Sequence, residues 1–595
     1  MSMDSSVSSV SGKPKPDTLL KKKIVRRSVP KLSSPPSGEN FPPLIQRIYA
    51  ARGVLSPEDC DYSLQRLLPP EQLKGVDQAA KILAEAISDQ KRILFIGDFD
   101  ADGATSTTVG TLALRMMGAR WVDYIVPNRF DFGYGLTPEI VEVAASRSPH
   151  VLVTVDNGIS SIEGVAAAKA LGWKVVVTDH HLAGDELPEA DAIVNPNQPG
   201  CKFASKAVAG VGVIFYVMLA VRRLLRQLDY YSRTGTAEPN LAELLDLVAL
   251  GTVADVVPLD GNNRILVDQG IKRIRARRCR PGITALLEVA NRSPSTLVAS
   301  DLGFAVAPRL NAAGRLEDMS LGIECLLTDH MEEARAMAQE LDGLNHARKS
   351  IEKDMQQQAL GILSNLGELE GDVPPGVCLY EDSWHQGVIG ILASRIKDRL
   401  HRPVIAFAPA DHGEIKGSAR SIPGLHIRDC LDAIAKKNTG LLSKFGGHAM
   451  AAGMTLKAEH FPAFSEAFAK EVGHSLTEED LQATIVTDGE LSPAELTLSS
   501  AEQLRTAGPW GQAFPEPIFD GEFEMVSWRI VGSHHLKLTV TEPKSGLMLD
   551  GIQFNVDPSI NYDQWRKVRL VYKLDINRFR GEINLQLLVD YSEPV

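Results

Sequence analysis

The acids and histidines of this 595-residue chain are unevenly spread. Asp98, Asp100 and Asp102 follow one short apolar run, Asp156 follows a second, and Asp179, His180 and His181 follow a third. Asp255 lies just past another apolar stretch, in Gly251-Thr-Val-Ala-Asp-Val-Val-Pro258. Gathered in one place, so many carboxylates would repel one another strongly. Divalent cations are the natural compensation, and a mixed carboxylate and imidazole set suits Mn²⁺ and tolerates Mg²⁺. Two such ions a few ångström apart activate a water and stabilise both the attacking and the leaving oxygen of a phosphoester displacement. A lone D-x-D after a strand is usually a turn and helix cap. What points to a metal site is the recurrence of acids and imidazoles at successive run ends.

The runs that must position these groups read as strands. Arg92–Ile96, Val151–Val155 and Trp173–Thr178 are short and rich in apolar or β-branched residues, and helix-like sequence follows at least the first two. That alternation predicts βαβ units and a largely parallel sheet covered on both faces. In such a sheet, residues beyond the carboxyl ends of the strands converge on one crevice. A proline-free helical pattern then runs from about 331 to 366, with Ala334, Met337, Ala338, Leu341, Leu344 and Ile351 on its apolar side, and links two lobes. A second α/β segment covers about 376 to 470, and from about 485 the sequence alternates as in a small all-β barrel or sandwich. The fold class expected is multidomain α/β: a parallel-sheet domain, a connecting helix, a smaller α/β domain and a carboxy-terminal β-barrel.

Composition bounds the rest. The length predicts several domains. A net charge of −12 excludes a generally basic nucleic-acid coat but leaves room for local Arg and Lys contacts beside bound cations. Six cysteines without a C-x-x-C pair fit free thiols in a reducing cytosol better than disulfides or a zinc cage. The most apolar stretch, Ala207 to Val221, is shorter than the ~20 residues a membrane span needs and reads as a buried helix. With no signal-peptide pattern at the amino terminus, a cytoplasmic protein is expected. Residues 1–40, rich in Ser, Pro and Lys, read as a disordered tail.

Four segments carry a specific resemblance. Gly97-Asp-Phe-Asp-Ala-Asp-Gly-Ala-Thr-Ser106, Val155-Asp-Asn-Gly-Ile159, Thr178-Asp-His-His181 and Val253-Ala-Asp-Val-Val-Pro258 are similar to the four ordered motifs of the DHH phosphoesterase superfamily, nearest to its RecJ branch. The resemblance extends over nearly the whole chain after the tail. It implies a DHH domain over 41–328, a connecting helix over 329–372, a DHHA1 substrate-binding domain over 373–475 and an OB-fold over 476–595. It also implies two Mn²⁺ or Mg²⁺ ions: Asp100 on one, Asp102, His180 and Asp255 on the other, Asp156 between them, and His181 toward the scissile phosphate. Some members carry a His four residues before the first Asp of D-x-D; here that position is Ile96, and Asp98 is the extra acid that partly replaces it or stands behind the ligands.

Substrate contacts are implied in the same way. Ala307-Pro-Arg-Leu-Asn-Ala-Ala-Gly-Arg315 reads as a small-residue turn and resembles a RecJ motif, offering Arg309, Asn311 and Arg315; guanidinium forks suit phosphate oxygens. Arg129, ahead of Gly133-Tyr-Gly135, is a similar contact. In the second lobe, His385 and Arg395, Ser418 and Arg420, and Gly446-Gly447-His448 resemble the DHHA1 strand-binding segments, whose glycines admit a nucleotide backbone. Trp510, Phe514 and Trp528 are offered as stacking platforms on the β-barrel.

Together the resemblance implies a monomeric, processive 5′→3′ exonuclease that threads single-stranded DNA between the two lobes and releases 5′-mononucleotides in DNA repair and recombination. Single-strand-binding protein and a RecQ-type helicase are its implied partners. Two competing readings are a DHH oligonucleotide or cyclic-dinucleotide phosphodiesterase, against which length and the added β domain weigh, and a non-catalytic strand-binding scaffold, against which the retained acids weigh.

Overall fold

A computed structural model describes residues 21–30, 41–127, 135–365, 373–532, 534–557, 560–579 and 581–595. The chain divides into two compact units, one of Pro30–Lys353 with Arg505–Glu516, the other of Met1–Val29, Asp354–Leu504 and Pro517–Val595.

The first unit is built on a five-stranded sheet, ordered Val122–Ile125, Ile93–Ile96, Val151–Val155, Lys174–Thr178 and Ala192–Val194. Every neighbouring pair is parallel. Ile93–Ile96 and Val151–Val155 are buried at every residue, as strands covered on both faces must be. On one face, Leu94, Ile96, Leu152, Val175 and Val177 pack with Ile140, Val141 and Ala144 of helix Pro138–Ala145 and with Val165 and Ala168 of helix Ile162–Ala170. Elsewhere in this unit the apolar stretch predicted to be a buried helix is one: Gly210–Gln227 lies against helices Ala101–Met116 and Leu245–Ala254. Among the described residues no helix is long and apolar enough to cross a membrane. The chain runs from Ile93–Ile96 to one neighbour and then back across to the other, so strand order reverses between Ile93–Ile96 and Val151–Val155. That switch point opens a crevice at the carboxyl ends of the two strands.

In the second unit, the sheet order is Lys444–Gly447, Ala451–Lys457, Glu414–Arg420, Val404–Pro409 and Val377–Tyr380, and only the last pair is parallel. Its core joins Phe407, Phe464 and Phe468 to Ile427, Leu431 and Ile434. A closed barrel follows, in the order Phe519–Val531, His535–Thr541, Met548–Gln553, Glu582–Pro594 and Lys567–Phe579. The long helix is Met331–Asn365.

Two expectations are corrected. Within the tail read as disordered, Lys23–Arg26 forms a strand paired in parallel with Thr484–Thr487. Arg26 anchors it by donating Nη2–H to Asp520 at 2.7 Å, and Arg27 pairs with Asp488 at 3.4 Å. The rest of residues 1–40 lies outside the described residues. Trp510 and Phe514, offered as barrel platforms, belong to the first unit instead. Their rings stack at 5.1 Å, the Arg264 guanidinium lies 4.4 Å from the Phe514 ring centre, and Tyr49 adjoins both. Trp528 does stand on the barrel, half-buried, donating Nε1–H to Asp563.

Candidate metal centre

Each acid of the crevice is delivered by the end of an element. Ile93–Ile96 ends in the turn Gly97–Phe99, and Asp100 caps helix Ala101–Met116, its carboxylate accepting from the amides of Asp102 and Gly103. Asp102, in the first turn of that helix, is buried and accepts from the Gly210 and Val211 amides at 2.7 and 2.9 Å. Asp156 follows Val151–Val155 in a left-handed conformation (φ 61°), an uncommon backbone for a residue other than glycine. A Cβ on Gly210 would stand 2.7 Å from the Asp156 side chain, so only glycine admits this approach. His180 and His181 follow Lys174–Thr178, and Asp255 closes the carboxyl end of helix Leu245–Ala254.

These residues meet. Asp98, Asp100 and Asp156 bring ligand atoms within 4.8 Å of one another; so do Asp102, His180 and Asp255, and so do Asp156, His180 and His181. His180 Nε2 lies 3.1 Å from Asp156 Oδ1 and 3.4 Å from Asp255 Oδ2, joining the groups into one centre. Five carboxyls beside two imidazoles, with no thiolate, form a donor set for hard or borderline divalent ions. The electrostatics agree. Burial, reinforced by Asp100, pushes the Asp102 carboxyl up to about 7. Burial and then the neighbouring acids, Asp102 first, push Asp156 and Asp255 well above the carboxylate range. Full ionisation of such a cluster calls for positive charge in its midst, and the residues fit a pair of divalent cations.

The imidazoles are set from behind. Asp179, buried, joins His181 Nδ1 at 2.7 Å and accepts from the Ile159 amide. Burial would raise Asp179, but the His181 contact outweighs it and holds the carboxyl low; burial would lower His181, but Asp179 outweighs it and lifts the imidazole to about 9. The Asn195 side chain donates to the His181 carbonyl, and the Asn197 side chain to the His180 carbonyl.

Residues 92–252 match the DHH family N-terminal domain, 374–474 the DHHA1 domain and 487–591 the RecJ OB domain. A single-stranded-DNA-specific exonuclease RecJ of Escherichia coli (strain K12) is 55% identical over 571 residues, covering 96% of this chain and 99% of that protein. The chain belongs to the RecJ family. The RecJ of Haemophilus influenzae is 52% identical over 97% of this chain and 100% of its own length. Crystal structures of RecJ from Thermus thermophilus in complex with Mn²⁺ and with Mg²⁺ match at TM-scores of 0.78 and 0.74, with 29% and 28% identity, each covering 96% of this chain and 80% and 78% of theirs.

In this RecJ-family chain, the residues expected to touch substrate divide sharply. Ala307-Pro-Arg-Leu-Asn-Ala-Ala-Gly-Arg315 is a helix, Ala307–Leu316, not a turn; Pro near its start and good helix formers after it explain why. Arg309 is buried, bonded to the Ala305 carbonyl and paired with Asp342 at 2.8 Å. It braces this helix, a role different from the phosphate contact expected. Asn311 Oδ1 accepts from the Ala101 amide at 2.8 Å, between the two acids of D-x-D. A Cβ on Gly314 would stand 1.8 Å from the Phe99 carbonyl oxygen, so the helix seats directly on the acid-bearing turn. Arg315 is half-buried at the end of this helix. Arg129 lies outside the described residues.

In the second unit, Ser418 and Arg420 gather at one point, Arg420 Nη1 donating to Ser418 Oγ at 3.1 Å. A Cβ on Gly390 would stand 2.8 Å from Arg420 Nη2. His385 Nδ1 accepts from the Gly387 amide just before helix Ile389–Leu400, which carries exposed Arg395. Gly446 and Gly447 end the strand Lys444–Gly447, and the His448 amide donates to Ala451 to close the hairpin. Gly446 has open space where a side chain would stand, whereas Gly447 is required by the hairpin itself. Sequence reasoning counted Asp179 among the gathered acids without giving it a role, and passed over Asn195 and Asn197. The Asn195-Pro-Asn197 run directly after strand Ala192–Val194 was the available signal for the last two.

Proposed function

We infer that this chain hydrolyses single-stranded DNA as a metal-dependent exonuclease, with Asp98, Asp100, Asp102, Asp156, His180 and Asp255 as the ligands of two Mn²⁺ or Mg²⁺ ions. One observation carries the reading: ligand groups from separate segments interlock at the sheet's switch point in a chain whose relatives are named single-stranded-DNA-specific exonucleases. The distances support Asp98, Asp100 and Asp156 on one ion and Asp102, His180 and Asp255 on the other, with Asp156 shared. Asp98 thereby takes the place of the histidine that Ile96 does not provide.

When bound, the ions supply a water nucleophilic at neutral pH and positive charge on the phosphoryl oxygens. The chain's own part is orientation. The Gly210 and Val211 amides fix Asp102; Asp179 keeps the proton on His181, whose second nitrogen is then a donor to a phosphate oxygen. Arg315 and Arg129 serve the strand in the first unit, and His385, Arg395, Ser418, Arg420, Gly446, Gly447 and His448 bind it in the second. The chain accordingly reads as a DHH domain (41–328), a connecting segment (329–372) that contains helix Met331–Asn365, a DHHA1 domain (373–475) and an OB-fold region (476–595), of which Arg505–Glu516 belongs with the first unit. Family membership supports 5′→3′ polarity, processivity, release of 5′-mononucleotides, action in repair and recombination in the cytoplasm, and work alongside single-strand-binding protein and a RecQ-type helicase.

End-labelled single and double strands incubated with Mn²⁺, Mg²⁺ or chelator test the reading. Stepwise shortening of single strands from the 5′ end, abolished by chelator, is expected. Cleavage that survives chelation, or a strong preference for dinucleotides over long strands, would overturn it.

A further inference from the structure

Among the described residues the three most exposed large apolar side chains are Phe304, Val256 and Leu182, at 85, 64 and 63%. A single exposed apolar side chain is ordinary. These three sit on the segments that frame the metal centre. Leu182 directly follows His181, and Val256 directly follows Asp255. Phe304 lies in a π-helical turn, Leu302–Val306, whose Gly303 would meet the Val253 side chain at 3.2 Å if it carried a Cβ; Val253 precedes Asp255 by two residues.

The backbone holds this arrangement at a cost. Val256 is left-handed (φ 57°), which for a β-branched residue is a true outlier, and its side chain is left in solvent. The π turn interrupts an otherwise α-helical run, a distortion often found at functional sites. Arg309 clamps it, bonding to the Ala305 carbonyl from one side and Asp342 from the other. Apolar side chains held in water beside a phosphate-handling centre suit a ligand whose flat faces are apolar and whose backbone is anionic.

We propose that Phe304, carried on a turn packed against the Asp255-bearing helix, is the platform on which an unpaired base of the DNA strand stacks while its phosphate reaches the metal centre. This rests on the nuclease reading above and deepens it. In a duplex each base is already stacked and paired, so the platform favours single strands; an unpaired base turns onto the ring without breaking a pair.

Kinetics of the full chain with Mn²⁺ on a single strand test the proposal. Base–aromatic stacking carries enough free energy that Phe304→Ala should raise KM by about tenfold or more, with kcat little changed and Phe304→Trp restoring KM. An exposed ring adds little to stability, so the melting temperature should stay at the wild-type value. A fluorescent base analogue such as 2-aminopurine, moved through successive positions from the 5′ end, should be quenched at one position by wild type and not by Phe304→Ala. Unchanged KM and quenching in Phe304→Ala, with chelator-sensitive hydrolysis intact, would overturn the platform and leave the nuclease reading standing. Absence of hydrolysis in wild type would remove both.

Discussion

Two charged clusters in the first unit make an instructive pair. The acids at the strand ends lie within ligand distance of one another, with two imidazoles among them. In helix Ala307–Leu316 and the long helix after it, Arg309 faces Asp342, and Arg348 faces Glu352 and Asn345. The second cluster is neutralised by the protein itself, so its charges serve the fold. The first concentrates one sign of charge, raises its own carboxyls, and is completed only by cations from outside. Residue type does not separate the two clusters; the sign balance within a few ångström does.

Asp156→Asn should show the largest effect. Losing a shared ligand removes several kcal/mol of charge stabilisation, on the order of 10³-fold in hydrolysis rate. The fold should persist, because the variant also removes a repulsive buried charge, and melting in chelator should be at or above wild type. Mn²⁺ at a hundred times its Kd stabilises the wild type by about 2.7 kcal/mol, and this thermal shift should be lost in the variant. A variant that cleaves normally would break the contrast at its root.

Arg309→Met tests the other side. Leaving Asp342 without its cation in a mostly buried pair should cost about 3 kcal/mol, seen as a lower urea midpoint. Affinity for a single strand, measured on folded protein, should change little. A large loss of affinity with unchanged stability would return Arg309 to the substrate contacts first expected of it.

Asp246 supplies an intermediate case: one buried acid whose carboxylate accepts from the Leu247 and Arg280 amides. Burial lifts its carboxyl to about 6. The folded pKa is above the unfolded one, so its favourable contribution is full below about pH 4 and is lost as pH rises through about 6. Asp246→Asn should be less stable than wild type at pH 4, having lost an acceptor. The gap should narrow by about 2 kcal/mol by pH 7, in urea unfolding at both pH values. A constant gap would mean that amides alone suffice to keep a buried acid ionised, and would weaken the inference drawn from the raised acids of the metal centre.

Much of this was legible in the sequence because strand-to-loop grammar is local. Ile93–Ile96 or Val151–Val155 declares itself by composition, and the acid after it must lie at the carboxyl end of the strand. Asp255 was readable for a similar reason, as the residue ending an apolar helix. What escaped depends on distant partners. Lys23–Arg26 has too few residues to reveal that Thr484–Thr487 will pair with it. Trp510 and Phe514 precede the barrel in sequence, yet their partners Tyr49, Arg52 and Arg264 lie far upstream. The small residues of Ala307–Arg315 suggested a turn because Ala and Gly look permissive, whereas they are small so that the helix can approach Phe99.

Asn311 is where the two clusters touch, and it gives the most discriminating small effect. It sits on the braced helix, but its Oδ1 accepts from Ala101, the residue between Asp100 and Asp102. If the braced helix serves only the fold, Asn311→Ala should cost about 1–2 kcal/mol for the unsatisfied amide and leave Mn²⁺ affinity unchanged. If it fixes the angle at which the two acids leave the strand, Mn²⁺ affinity should also fall about 10-fold or more, as when groups behind metal ligands are removed. The second outcome is expected, because Gly314, on the same face of the helix one turn along, seats it directly against Phe99 of the acid-bearing turn. Mn²⁺ titration followed by thermal shift in Asn311→Ala, with Asn311→Asp retaining the acceptor, separates the two. A rescue of stability by Asp without rescue of metal affinity would show that the amide contact holds the helix rather than the acids.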